Sequence, residues 1–503
     1  MPSTLAVGQA YLAQIETQLA DLVSRGRHGD AEALVRVLAT LRPSVHTLPP
    51  ELLSQIFLLA SNPRTADLSW LNLKKKSSLE EEFREGSKSL RTALRLSHVC
   101  AAWRKVALQT SRMWTTVLPL QGQKIANEAA LLSLVKELLA RSRPISFPLS
   151  YGPTLPHSIR KHLVANISRV DALRILNSEL LGAMTGTKCP YLENLEYLHI
   201  DLNMRATNPV EPYKPVPQTA AFLTARKLHS VKIEDAPLTS LFLPWAQLTN
   251  VVLSPASTSA AECSDALRQC TTATTASLVT PCWDTNAAPI SPLHSLPCLE
   301  YFELLFENQV GRPEDARREN MTPTFQSLAL PSLKRFEIDT MGYGWPAETH
   351  SEFLDFIRRA PHVEELVFRS ELDAQAVCEI IDLTPSLLKL RFVDCPNAVA
   401  DPLFEYLTHR TGTQAPVAPR LTTFLVEYST DLSIDQTKLL AMVESRWSGT
   451  LGEEEQARLS SWKKIIFRSG ERSADAPAND PWTMPFRARV TELKHLGLSI
   501  GIS

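Results

Sequence analysis

Apolar positions in the first 41 residues recur at helical steps. Leu5, Leu12, Ile15, Leu19 and Leu22 mark one face, and Leu34, Val35, Leu38 and Leu41 mark a second, because positions three and four apart share one side of a helix. Arg25-Gly26-Arg27-His28-Gly29 separates the two runs. A helical hairpin over residues 1–42 is therefore expected, either a short coiled coil or a pair that packs onto the next module. Leu48-Pro49-Pro50-Glu51 opens another helix. Proline suits a first turn because it lacks only an amide hydrogen that would go unbonded there, and Glu51 sits where the helix dipole favours negative charge. Behind it, Leu52, Ile56 and Leu59 form one apolar row, and Leu53, Phe57 and Ala60 form the row beside it. One row serves the helix's own core, so two rows imply a second surface for a partner to cover. Residues 61–90 read as a polar insertion opened by Asn62-Pro63. Helix signals return at Leu94, Leu96, Val99, Trp103 and Val106, and Thr110-Ser111 offers an N-cap for a short piece carrying Trp114 and Val117.

Further on, a different pattern repeats: proline, any residue, leucine or valine, two of any kind, leucine or phenylalanine, any, then a branched or aromatic residue. It occurs at Pro297–Leu304, Pro331–Ile338, Pro361–Phe368, Pro385–Phe392 and Pro419–Val426, the prolines standing 24 to 34 residues apart. Weaker copies keep only the apolar triplet: Val170-x-x-Leu173-x-Ile175, Leu195-x-x-Leu198-x-Ile200, Leu228-x-x-Val231-x-Ile233, Leu248-x-x-Val251-x-Leu253 and Leu493-x-x-Leu496-x-Leu498. Recurrence at this period marks a repeat protein. The final apolar pair alternates with a polar residue, as in a strand. Helical stretches at Glu352–Ala360, Ala374–Leu383 and Pro402–Thr408 lie between copies, which gives parallel strands on one side and helices on the other. The proline-rich residues 204–217 and the Ser/Thr/Ala/Pro-rich residues 254–292 read as loops, and residues 444–485 as an insertion with a helix. Gly342-Tyr343-Gly344-Trp345 reads as a turn.

These stretches carry two resemblances. Leu48–Phe57, Leu96–Arg104 and Ala107–Trp114 together resemble an F-box, in the split F-box-like form common in fungal proteins. The resemblance implies an all-α module over residues 43–120, with its insertion at 61–90, that binds the Skp-type adaptor of a cullin-RING ubiquitin ligase. Leu48, Pro49, Leu52, Ile56, Val99 and Trp103 would lie at or beneath the adaptor surface. Trp103 is the ambiguous member, because a tryptophan at helical spacing is more often core than interface. The repeats resemble a degenerate leucine-rich repeat in which the usual asparagine or cysteine after the strand is mostly missing, Cys395 being the nearest match. That resemblance implies an irregular α/β solenoid over residues 121–503, with parallel strands on the concave side and helices on the convex side. Its inner face would present Arg335, Glu337 and Asp339, Glu365 and Arg369, Lys389 and Arg391, Thr423 and Glu427. Arg335, Glu337, Glu365, Arg369, Lys389 and Arg391 are the candidate target-binding residues, with Arg335 and Arg391 foremost because guanidinium groups bond directionally. The bland reading is that these side chains only solvate a sheet.

Composition adjusts this picture little. At 503 residues, 44% hydrophobic and 21% charged, the chain has the balance of an ordinary globular protein of more than one domain. A net charge of −2 supplies no field for nucleic acid or acidic membrane, and Lys74-Lys75-Lys76 followed by Glu80-Glu81-Glu82 reads as a solvated loop. No stretch is apolar for long enough to span a membrane, and none reads as a secretory signal. The eight cysteines form no CxxC pair and the histidines no HxxxH pair, so neither metal nor cofactor is expected, and free thiols point to the cytoplasm or nucleus. P-loop, dinucleotide and G-x-S-x-G motifs are missing. The expected function is that of a non-catalytic receptor joining an unidentified target protein to an adaptor and, through it, a cullin. The alternative is a leucine-rich-repeat scaffold acting outside ubiquitination.

Overall fold

The computed structural model describes residue 17 and residues 48–61, 79–115, 127–151, 155–176, 178–184, 191–202, 220–254, 259–280, 293–306, 321–345, 347–410, 416–428, 434–447, 459–469 and 482–502. The expected hairpin over 1–42 lies outside the described residues, Thr17 excepted. Two compact units divide the chain. One takes Met1–Asp67, Ser78–Thr116 and Leu134–Ile145; the other takes Leu68–Ser77, Val117–Ser133 and Ser146–Ser503.

In the first unit, helix α1 (Pro50–Ser61) begins at the proline, with Glu51 in its first turn. Its buried row is Leu53, Phe57 and Ser61, not the expected Leu53, Phe57 and Ala60, for Ala60 is exposed. Ser61 tolerates burial because its hydroxyl donates to the Phe57 carbonyl at 2.7 Å. Helix α2 (Leu79–Ser97) is longer than the sequence pattern suggested: residues 79–90, expected in the polar insertion, are helical. The chain breaks at His98–Cys100 and resumes as α3 (Ala101–Gln109), where the Cys100 side chain caps the Trp103 amide at 3.4 Å. Val99 therefore sits in a turn. Arg104 ties the break, donating to the Ser97 carbonyl at 3.0 Å. Thr110 does not cap the short helix beyond it; its hydroxyl bonds back to the Val106 carbonyl at 2.8 Å. Trp114 closes this core, buried, its indole N–H given to the Ala107 carbonyl at 2.9 Å and its ring beneath Arg141 at 4.7 Å.

The second unit is mixed α/β on a large parallel sheet, the form that a leucine-rich-repeat-like solenoid takes. Among the described residues the sheet has thirteen strands in sequence order. They are β1 (Phe147–Tyr151), β2 (Val170–Ile175), β3 (Tyr197–Asp201), β4 (Ser230–Glu234), β5 (Asn250–Ser254), β6 (Thr275–Thr280), β8 (Tyr301–Phe306), β10 (Arg335–Gly344), β11 (Glu365–Glu371), β12 (Lys389–Val393), β13 (Thr423–Tyr428), β14 (Lys464–Ser469) and β15 (Ile500–Ile502). A separate two-stranded sheet pairs β7 (His294–Ser295) with β9 (Leu328–Ala329). Every strand that follows one of the five proline-bearing copies joins the main sheet.

The apolar triplets are its core. Leu333, Phe336 and Ile338, then Val363, Leu366 and Phe368, then Leu387, Leu390 and Phe392 are all fully buried. Register stacks like on like, Phe336 on Leu366, Leu366 on Leu390, and Leu390 on Phe424. Each buried side chain contributes roughly 1.5–3 kcal/mol. The helices between strands, among them α9 (Ala347–Arg358), α10 (Ala374–Asp382) and α11 (Asp401–Leu407), close this face; Phe353 and Phe356 of α9 lie 5.8 and 5.4 Å from the Phe336 ring. They succeed α4 (Glu128–Arg141), α5 (His157–Val164), α6 (Ser178–Met184), α7 (Ala260–Gln269) and α8 (Thr322–Ser327), and precede α12 (Gln436–Ser445) and α13 (Met484–His495).

Several expectations need correction. Residues 254–292 hold a helix and strand β6 rather than only loop, because Ala273 and Ala276 occupy leucine places of the repeat, with Leu278 third. In the expected insertion 444–485, Trp462, Ile465 and Phe467 are a buried triplet, the last two on β14. Leu493 is helical, and the last strand is β15. Gly342–Gly344 continue strand β10 and form no turn.

Candidate functional site

Two surfaces collect the residues that the sequence singled out. On the first unit, Leu53 and Phe57 fill the core and leave the neighbouring row outside: Leu52 is 52% exposed, Ile56 45% and Leu59 81%. Val99, at the break between α2 and α3, is 58% exposed. Pro49 is exposed and Leu48 half-buried. Trp103 belongs to both settings, half-buried with its ring 4.9 Å from that of Phe57 and its indole nitrogen sealed from solvent without a hydrogen-bond partner. A row of large aliphatic side chains left in water is unfavourable by about 25 cal/mol for each Å² that a partner would cover.

The second surface is the sheet face opposite the buried triplets. Register brings its side chains side by side across strands: Arg335 with Glu365 and Lys389, and Asp339 with Arg369. Arg335 reaches Glu337 at 3.2 Å and Glu365 at 3.0 Å. Arg369 reaches Glu337 at 3.1 Å, Lys389 reaches Glu365 at 3.6 Å, and Arg391 reaches Glu427 at 2.9 Å. Arg468 also pairs with Glu427. Five of the six candidate target residues, Arg335, Glu337, Glu365, Arg369 and Lys389, thus form one linked set of ion pairs, and Arg391 belongs to a second with Glu427 and Arg468. Next to it, Tyr301 lies under the Arg335 guanidinium, 5.3 Å from ring to charge. Burial and the neighbouring Glu303 carboxylate raise its phenol above the ordinary range. Glu303 is itself raised, chiefly by burial. Tyr301, Glu303 and Arg468 were missed by the sequence reading, although each holds an outward position on its strand.

Towards the other end of the same face, His199, Asp201 and Glu234 bring one ligating atom each within 4.8 Å of one another. Burial pushes the His199 imidazole down to about 4, so at neutral pH it gives its Nε2–H to Glu234 at 2.7 Å. For Glu234 burial acts upward, but the bond from His199 and the charge of Lys232, 3.0 Å away, prevail and hold it near 2. Lys232 already pairs with Glu234, and the charge of Arg174, in register with His199, acts on that imidazole; cations so close weaken any attraction for a metal ion. A cavity of about 470 Å³ is lined by Tyr406, His409 and Arg446 among others. The Arg446 guanidinium there is fully buried. It donates to the Ala418 carbonyl at 2.6 Å and stacks 4.8 Å above Trp462, a structural engagement, and burial lowers its pKa to about 10.

Of the described cysteines, Cys263, Cys270, Cys378 and Cys395 are buried, and burial pushes the first three thiols up to about 12. Cys298 is exposed. Cys395 holds the position expected of it, its thiol directed at the Phe368 carbonyl at 3.3 Å across the strands. No described helix is long and apolar enough to cross a membrane.

No family model and no curated protein matches the chain. Among solved structures, the Rad7 and Elc1 complex in yeast is similar at 14% identity, covering 83% of this chain and 100% of that one, with a TM-score of 0.29. The TLR13-ssRNA13 complex is similar at 11% identity over 59% of this chain and 52% of that one, with a TM-score of 0.18. Likenesses this weak carry no argument about function.

Proposed function

We propose that the chain is the substrate receptor of a cullin-RING ubiquitin ligase. Its F-box-like helices dock a Skp-type adaptor through Leu48, Pro49, Leu52, Ile56, Val99 and Trp103, and its sheet face holds a target protein through Arg335, Glu337, Glu365, Arg369, Lys389 and Arg391. It performs no chemistry of its own: it raises the local concentration of the target beside a ubiquitin carrier supplied by other subunits. The observation that supports this reading is the outer row of α1, where Leu52, Ile56 and Leu59 stand in solvent over a core already completed by Leu53 and Phe57. Interface cores are built from such aliphatic and aromatic anchors.

Co-purification tests it. The intact chain should retain a Skp-type adaptor and a cullin, and Leu52→Ala/Ile56→Ala should release both. A captured target should accumulate in cells when residues 43–120 are deleted. Adaptor binding without any such accumulation would favour the scaffold reading instead.

A further inference from the structure

The network on the sheet face is layered, and the layering has a direction. In each of the described ion pairs on strands β10 to β14, the carboxylate is the deeper partner. Glu337 is 7% exposed beneath Arg369 at 39%, Glu365 20% beneath Lys389 at 53%, and Glu427 21% beneath Arg468 at 61%. The same holds for Arg335 over Glu337 and Arg391 over Glu427. The greater length of arginine and lysine does not account for this order, because on β4 it is reversed: Lys232 is more buried than its partner Glu234. Among the described side chains, the outward positions of β10 to β14 carry Arg335, Arg369, Lys389, Arg391, Lys464 and Arg468 against Glu337, Asp339, Glu365 and Glu427, an excess of cations with the acids set below.

Each deep carboxylate fixes the rotamer of the cation above it, so a ligand need not order that side chain again. It does not use up the cation. Arginine has five N–H donors, and half-exposed ion pairs are worth so little that a new anion readily shares them. Beside the cations two aliphatic side chains stand in register, Leu425 and Ile466, both half-buried, in line with Arg391 and the fully buried Val367. No aromatic ring stands at the outward positions Glu365, Val367, Arg369, Lys389, Arg391, Val393, Thr423, Leu425, Glu427, Lys464, Ile466 and Arg468 of β11 to β14. On these four strands single-stranded nucleic acid would lack the stacking platforms it uses, whereas a polypeptide with anionic and aliphatic side chains finds both of its partners.

We infer that the face of β11 to β14 recognises an anionic segment of a partner polypeptide, its carboxylate or phosphate oxygens on Arg369, Lys389, Arg391 and Arg468 and its aliphatic side chains on Leu425 and Ile466. This rests on the reading of the sheet as the target-binding surface and specifies the target's chemistry.

The test uses the full chain and fluorescent peptides of matched length: glutamate and leucine, phosphoserine and leucine, lysine and leucine, glutamine and leucine, and an oligouridylate. The glutamate or the phosphoserine peptide should bind, more weakly as salt rises. The stronger of the two identifies carboxylate or phosphate as the anion. Lys389→Glu/Arg468→Glu should weaken that binding roughly tenfold or more, while Lys494→Glu on α13 leaves it unchanged. All three substituted positions are at the surface, and an unchanged melting temperature verifies the fold. Equal binding of the glutamine or lysine peptide, lost in the same double variant, would overturn the anionic assignment and leave the sheet a target surface. Oligouridylate bound more tightly than any peptide and lost in that variant would overturn it in favour of nucleic acid. Failure of every probe together with capture of cellular target unaltered by Lys389→Glu/Arg468→Glu would overturn both.

Discussion

At the scale of the residue, burial divides neighbours that look alike in sequence. Phe57 and Ile56 are adjacent apolar residues on one helix, yet Phe57 is fully buried and Ile56 is not. Phe57→Ala should cost about 3–5 kcal/mol by leaving a cavity. Leu52→Ala/Ile56→Ala should shift stability by no more than about 0.5 kcal/mol per site, and thermal unfolding of the three proteins checks the contrast. His199 sets a dependence on pH. Its value falls from 6.5 in the open chain to about 4 in the fold, mainly by burial. A depressed histidine stabilises the fold fully above the open-chain value and loses that contribution as pH drops through the folded one. Stability should thus decline between pH 6.5 and 4 by something on the order of 3 kcal/mol. Glu234, held near 2, adds its own loss only at lower pH. Denaturant midpoints across that range should show the slope, and His199→Gln should flatten it. Thiol labelling followed by peptide mapping offers a further check: Cys298 should react in the folded protein, and Cys263, Cys270 and Cys378 should not.

At the scale of the element, most repeat triplets held by leucine, valine, isoleucine or phenylalanine were readable, since their spacing points to a strand, but Leu493-x-x-Leu496-x-Leu498 has that spacing and begins in a helix. Other copies escaped notice where different residues took those places. Ala273 and Ala276 bury as fully as leucines in their copy, but alanine gives too little contrast against a Ser/Thr-rich surrounding to mark strand β6. Trp462 in the leucine place concealed β14 in the same way. The break at His98–Cys100 was hidden for another reason, as apolar residues continue through it and only the Cys100 cap marks the new start. The α1 surface was legible from its double row. The network of Arg335, Glu337, Glu365 and Arg369 was legible only as outward positions, because pairing across strands depends on register, which sequence spacing does not give. Glu337 is the test of that network. Glu337→Ala removes the deep acid under two arginines and should lower stability by about 1–3 kcal/mol, more than Glu427→Ala, whose partners are better hydrated.

At the scale of the molecule, a helical unit with an uncovered aliphatic row and a repeat unit with a layered charged face share one chain, as a protein that joins two others requires. The most direct measurement is a calorimetric titration of the purified chain with a Skp-type adaptor, carried out in parallel with the Leu52→Ala/Ile56→Ala variant. The account predicts saturable one-to-one binding by the unaltered chain and its loss in the variant at an unchanged melting temperature. No heat of binding from the unaltered chain, or equal affinity in the variant, would contradict it.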